Sequence, residues 1–170
     1  MKRNIFAKLT ALIAVLALAC SLMACKPEAQ EGTKSITLVI DLSYVTEEIV
    51  PSEGVMGYTD KMKVFELNTE SKYLEDVLDE LVADKKLEVS GTKSAATGLM
   101  ITNIDNVSAD YMTDGRWISV YCNDMENVDS TSEWAQSYDY GEAKLWTANW
   151  GVTSLPVKDG LVYALVVVAA

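Results

Sequence analysis

Residues 158–169 read Lys-Asp-Gly-Leu-Val-Tyr-Ala-Leu-Val-Val-Val-Ala. Asp159-Gly160 is turn chemistry, and the run that follows from Leu161 carries no charge. A helical membrane span needs about 20 apolar residues, roughly twice what this run supplies. Its valine-rich composition instead suits a strand covered on both faces, and such a strand belongs near the middle of a sheet. The rest of the chain therefore has to supply neighbouring strands and a covering layer.

The neighbours are readable upstream. In Ser35–Tyr44, Ile36, Leu38, Ile40, Leu42 and Tyr44 fall on alternate positions, a strand period with one buried face. Pro51, Gly54 and Gly57 mark a loop, after which Lys61–Leu67 resumes a strand pattern and pairs back as a long hairpin. Leu87–Ser90, Gly98–Ile104 and Trp117–Cys122 read as further strands, the last preceded by an Asp114-Gly115 turn. Between them Leu74, Val77, Leu78, Leu81 and Val82 form one apolar stripe of helical period. Ser71 is the candidate N-cap, Glu75 and Asp76 suit the positive first turn, and Lys85 and Lys86 suit the negative end. One main helix packed on one face of a mixed sheet is an α+β architecture, predicted here for a single domain over residues 35–170.

The first 34 residues have a different character. Lys2 and Arg3 precede an apolar stretch from Leu9 to Leu22, and Leu22-Met23-Ala24-Cys25 follows the pattern of a bacterial lipobox. The stretch is short for a span and is interrupted by Thr10, Cys20 and Ser21, so residues 1–24 read as a cleaved signal peptide with Cys25 as the lipidated residue. A competing cut before Cys20 lacks the branched aliphatic residue three positions upstream and the polar segment just downstream. Residues 25–34 then form the lipidated cysteine and a flexible tether, reaching at most about 30 Å at about 3.3 Å per residue. The expected location is the extracytoplasmic face of a bacterial cell membrane, held by lipid.

Cleavage would remove three of the 14 basic residues and none of the 25 acidic ones, taking the net charge from −11 to −14. So acidic a chain is repelled by phosphate backbones, which argues against nucleic acid as a partner. No histidine occurs, which removes the commonest general base and zinc ligand; the chain is expected not to be an enzyme and to carry no cofactor. Of three cysteines only Cys122 remains in the domain, and its alternation with Ile118 and Val120 marks it as a small buried apolar residue.

The order of these signals resembles the bacterial domains similar to the C-terminal domain of transcobalamin and intrinsic factor. The resemblance runs through Ile36–Leu42, Phe65–Leu81, Gly98–Val107, Trp117–Asp124 and Val157–Tyr163. It implies a β-grasp-like fold and a corrinoid such as cobalamin as a candidate small-molecule ligand, with a membrane transporter or surface partner alongside. Where the family has two turn glycines this chain has Asn106 and Asp124, residue types that tolerate left-handed backbone.

All four tryptophans fall between residues 117 and 150. Trp117 sits in an alternating strand and reads as core, whereas Trp134, Tyr138, Tyr140, Trp146 and Trp150 are mixed with Ser, Asp, Asn and Gly and are the candidate ligand-binding residues. The alternative use of that segment is contact with a protein or glycan at the cell surface. Ser90-Gly91-Thr92-Lys93 has the S-x-x-K spacing of penicillin-recognising enzymes without their other elements, and reads as coincidence. Asn123–Glu133 is rich in oxygen ligands but has no EF-hand register, and reads as a solvated loop.

Overall fold

The computed structural model describes residues 26–45 and 61–169. Residues 1–24, read above as a signal peptide, Cys25, and the expected loop at Pro51, Gly54 and Gly57 lie outside the described residues. The architecture is α+β, mostly strand.

The apolar run of residues 161–169 does lie inside a sheet. Strand β1 (Lys34–Asp41) pairs antiparallel with β2 (Met62–Thr69), Leu38 standing opposite Phe65. On its other side β1 runs parallel to the last strand of the sequence, Val162–Ala169, with Leu38 opposite Tyr163 and Ile40 opposite Leu165. That last strand in turn pairs antiparallel with Arg116–Cys122, Val120 opposite Leu165. Its side chains divide by parity: Tyr163, Leu165 and Val167 enter the main core, while Ala164 and Val166 enter a second, smaller one. Two buried faces explain why it reads as continuous apolar sequence rather than alternation.

Helix α1 (Leu74–Ala83) buries Leu74, Val77, Leu78 and Leu81 in the main core as its spacing predicts, each worth about 2 kcal/mol of apolar transfer. Val82 stays exposed. The N-cap is Tyr73 rather than Ser71: the Tyr73 N–H donates to Asp76 Oδ2 at 3.1 Å, and the Ser71 hydroxyl goes to Glu80 Oε1 at 2.5 Å. Tyr73 still bridges to Pro156, so helical geometry begins only after it. The next two free N–H groups, of Leu74 and Glu75, donate to the carbonyls of Leu155 and Val152, both at 3.0 Å. A loop thus satisfies a helix end that would otherwise be left open.

A second sheet holds β3 (Val89–Ser94), β4 (Gly98–Ile104) and the two-residue β5 (Val107–Ser108). β3 lies later than Leu87–Ser90 because Gly91 makes a bulge against β4. The β4–β5 turn uses Asp105 and Asn106 at φ 48° and 63°, so Asn106 takes the left-handed geometry that its residue type tolerates. Asp124 does not; it is a buried carboxylate accepting from Asn127 Nδ2 at 2.7 Å and paired with Lys158 Nζ at 2.8 Å. Burial opposes its ionisation, but those partners and the Glu126 N–H hold its carboxyl below the usual range. The Asp114-Gly115 turn closes a one-turn helix, α2 (Tyr111–Asp114), capped by Asp110 and ended by Gly115 at φ 69°. Arg116–Cys122, immediately after it, is β6.

The segment read as unstrand-like contains a hairpin. β7 (Ser137–Tyr140) and β8 (Ala143–Thr147) pair antiparallel across a turn at Gly141, whose φ is 57°. With the last strand numbered β9, the main sheet runs β2-β1-β9-β6-β8-β7. In a flat sheet β7 would lie about 19 Å from β1, four steps of about 4.8 Å. Instead Tyr138 of β7 donates its hydroxyl to Asp41 of β1 at 2.8 Å, so the sheet curls until its far edge lies over its own face. Val39, Tyr121, Leu145, Ala164 and Val166 fill the inside of the curl.

Residues 26–33 form no helix or strand, yet they lie along the domain as a strap. Lys34 is fully buried and its ammonium donates to the carbonyls of Gln30, Gly32 and Glu70 at 3.0, 2.8 and 3.3 Å, using all three of its protons. Glu31 pairs with Lys72 at 2.5 Å, and Gln30 Oε1 accepts the Asp159 N–H at 2.9 Å. At the start of the strap Lys26 Nζ donates to the Thr153 carbonyl at 2.9 Å and stands 4.6 Å from the Tyr73 ring centroid.

Candidate functional site

β4 and β6 face each other without being hydrogen-bonded, since they belong to different sheets. The gap between them is an apolar groove of about 420 Å³. Leu99 and Ile101 of β4 form one wall, and Trp117, Ile118 and Val120 of β6 the other. Ala109, Tyr111 and Met112 close one end, Thr97, Gly151 and Val152 the opposite end. The volume lies within the range of small-ligand sites. Its rim is unusual for a soluble surface: Met112 is 88% exposed, Met100 60% and Tyr111 59%, three large apolar side chains beside one concavity.

Local sequence explains the shape. Tyr111 is held edge-on to Trp117, ring centroids 5.9 Å apart at 65°, because α2 turns the chain back onto the first residues of β6. At the other end the Thr153 hydroxyl accepts the Leu99 N–H at 2.8 Å, pinning the 151–155 loop to the start of β4. Gly98, at φ 72°, allows that contact: a Cβ there would stand 2.4 Å from Thr153 Oγ1. Asp110 is the one charged residue lining the groove, and its carboxylate is occupied in accepting the Met112 N–H at 3.1 Å and the Thr113 hydroxyl at 3.0 Å. The walls therefore offer contact area and methionine adaptability rather than acid or base chemistry.

The five aromatic residues singled out in the sequence are not brought together. Trp134 stands alone at 80% exposure. Tyr138 and Tyr140 pack on the small core inside the curl, Tyr138 lying 5.8 Å from Tyr121. Burial first, and then the bond to Asp41, pushes the Tyr138 phenol well above its ordinary value. Trp146 and Trp150 are partly buried against the main core, and Lys144 covers the Trp146 ring at 4.9 Å. Trp117, read as core, is the tryptophan that lines the groove. The groove is marked by Met100 and Met112, exposed despite their apolar side chains, and by the Tyr111 and Trp117 pair, and nothing in the local sequence announces that exposure.

Cys122 is buried without a disulfide partner, and burial pushes its thiol up to about 11, a value unsuited to a nucleophile. Ser90 and Lys93 lie on β3, where Lys93 pairs with Glu75 at 2.5 Å. In Asn123–Glu133, Asp129 accepts the N–H groups of Thr131 and Ser132 at 3.2 and 3.0 Å. Among the described residues no three His, Cys, Asp or Glu side chains are placed to hold a metal ion. A second concavity, about 620 Å³, lies between the strap and Glu126, Asn127 and Lys158. It is polar, and its cation Lys158 is already paired with Asp124 and Glu126.

No protein-family model and no curated protein matches the sequence. Among solved structures, one from Ruminococcus gnavus ATCC 29149 described as a "putative metal binding protein" is similar over 81% of this chain and 98% of its own. The identity is 23% and the TM-score 0.49, a distance at which the likeness bears on neither ligand nor metal.

Proposed function

We propose that this protein is a non-enzymatic, lipid-anchored binding protein of the extracytoplasmic membrane face, and that its ligand lies in the groove between β4 and β6. The observation that carries the reading is the groove itself: a concavity of about 420 Å³ with apolar walls and three exposed large apolar side chains at its rim. The anchor is supported by the lipobox at Leu22–Cys25 and the apolar stretch before it. A β-grasp-like classification is supported by the hairpin, the helix packed behind it and the final strand inserted beside the first.

A groove of about 420 Å³ suits an apolar chain or a small ring system better than a bulky macrocycle. A corrinoid, the ligand suggested by the family resemblance, would have to lie across the rim, on Met100, Tyr111 and Met112. Titrating the mature chain carrying Cys25→Ser with the uncharged probe N-phenyl-1-naphthylamine tests the groove. A saturable fluorescence rise is expected, reduced in Met112→Glu; a linear, non-saturating response would refute the reading. Cyanocobalamin added to the probe-loaded protein separates the two ligand classes by whether it displaces the probe. For the anchor, lipid labelling is expected on wild-type protein and not on Cys25→Ser.

A further inference from the structure

We infer that the groove takes an extended polypeptide segment, which joins the main sheet as an added strand along the open edge of β6. The inference deepens the binding reading above by naming the class of ligand, and it rests on that reading.

The hydrogen-bond ladder carries it. β6 pairs with β9 along its whole length, from Arg116 opposite Ala169 to Cys122 opposite Tyr163. On its other side β8 reaches only Tyr121 and Cys122. In an antiparallel ladder alternate residues send their backbone groups to opposite neighbours, and two bonds fix which residues serve which side. The Asn123 N–H donates to the Val162 carbonyl at 3.3 Å, so the odd-numbered residues serve β9. The Val120 carbonyl accepts the Ala148 N–H at 2.8 Å, so the even-numbered ones serve β8. β8 ends at Thr147, and the chain then turns away, the Asn149 N–H donating to the Asn127 carbonyl. The N–H and C=O of Ile118 and the N–H of Val120 therefore point to the side that β8 has left, and no bond to them is formed among the described residues. At the start of the strand the Arg116 N–H is taken by Asp114 Oδ1 at 3.0 Å.

That edge gives onto the groove, since Trp117, Ile118 and Val120 are its wall. From Arg116 to Val120 it covers four residue steps, about 14 Å at about 3.4 Å each. Donors and acceptors that recur at every second residue are matched by another extended backbone, as when a peptide adds to a sheet edge. A wholly apolar ligand would cover the same groups and leave them without partners.

The two faces of β6 then set the side chains of the added strand. Ile118 and Val120 pack toward the main core, whereas Ser119, opposite Val166, lies on the face of the smaller one. Alternate residues of the segment stand beside Ile118 and Val120 between the apolar walls, and the intervening ones beside Trp117 and Ser119. Charge selects further. The chain carries a net charge of −11, and Asp110 is the one charged residue lining the groove. Arg116 lies outside that lining, its charge acting on Asp114. The matching segment is therefore apolar at alternate positions and basic at the end that meets Asp110.

The test uses the mature chain carrying Cys25→Ser and the peptide acetyl-Lys-Val-Thr-Val-Thr-Val-amide. Saturation with the peptide is expected to displace N-phenyl-1-naphthylamine and to slow amide hydrogen exchange at Ile118 and Val120 by about tenfold, read residue by residue by NMR. Methylating the backbone nitrogens of the valines, or those of the threonines, should abolish binding in at least one of the two sets; a peptide that tolerates both is not held as a strand, and the inference falls. Replacing its lysine by glutamate should weaken binding about fivefold at low salt, and equal affinity would remove the basic end from the assignment. Saturable binding of the naphthylamine with no displacement by the peptide and unchanged exchange at Ile118 overturns the inference and leaves the groove a small-molecule site. Failure of both the naphthylamine and the peptide to bind removes both readings.

Discussion

Tyr138→Phe tests the curl of the main sheet with a single oxygen atom. The ring, its packing on Tyr121 and its place in β7 are retained, and only the 2.8 Å bond to Asp41 is lost. Asp41 is 8% exposed, and its other oxygen is held by the Ser43 N–H at 2.8 Å, so water can replace the lost donor only in part. Hydrogen bonds to charged groups are worth about 1.5–3 kcal/mol, and the half-buried position of Tyr138 places this one near the lower bound, about 1.5 kcal/mol. Urea unfolding followed by circular dichroism at neutral pH should show that loss as a shifted midpoint with an unchanged slope. Asp41→Asn closes a double-mutant cycle, with an expected coupling of about 1 kcal/mol. There is also a pH signature. Because the folded-state phenol ionises above its ordinary value of 10.0, the contribution is complete below that pH and is lost as the pH climbs past it. Wild-type stability should therefore fall more steeply than that of Tyr138→Phe in alkaline solution. A Tyr138→Phe variant within about 0.5 kcal/mol of wild type, or strict additivity with Asp41→Asn, would mean that the edge is not closed by this bond.

Three further substitutions probe separate parts of the fold. Gly91→Ala places a Cβ 2.0 Å from the Met100 carbonyl, and should cost about 3 kcal/mol or unfold the small sheet, seen as lost hydrogen-exchange protection across β3 and β4 while β1 and β9 stay protected. Lys34→Met keeps the buried stem but strands three carbonyls; a loss of about 3 kcal/mol is expected, with the strap becoming susceptible to limited proteolysis at Gly32, and undiminished protease resistance would show that the ammonium is not what holds it. Asp105 is buried with Oδ2 lacking a partner, and burial raises its pKa, so it weakens the fold at neutral pH and does so less as the pH falls through its folded value toward 3.8. Asp105→Asn should raise neutral-pH stability by about 1 kcal/mol and flatten the acid limb between those two values, as read from melting temperatures across that range.

Much of the main sheet is legible in the sequence because its signals are local. Four of its six strands, β1, β2, β6 and β9, can be placed from period-two alternation or continuous apolar runs, and α1 from its apolar stripe. The hairpin β7–β8 was hidden because Tyr138 and Tyr140 alternate with Ser and Asp, and strand period is hard to see when the buried face is made of tyrosines. The cap moved from Ser71 to Tyr73 because Pro156 and the carbonyls of Val152 and Leu155 compete for the helix entrance, a contact between segments about 80 residues apart in a chain of 170. The strap was likewise invisible: composition shows a polar segment, but not the buried ammonium of Lys34 that fixes it. Of the candidate site, aromatic enrichment pointed to residues 134–150, whereas the aromatic residues lining the groove are Tyr111 and Trp117. A groove arises from two sheets that fail to pair, and nothing in the local sequence of β4 or β6 states which strand each will ignore.

The placement of β9 constrains when this protein can fold. Thr37 pairs with Val162, a sequence gap of 125 residues (162 minus 37), and without β9 the β1–β2 hairpin and the β6–β8–β7 ribbon have no strand pairing to each other. The two halves of the main sheet cannot be joined until β9, which lies between them, has been made. A high contact order of this kind makes folding slow and post-synthetic. Under the exported, lipid-anchored reading proposed above the delay is useful: the two halves stay apart while the chain is threaded, and release of β9 on the far side lets them join.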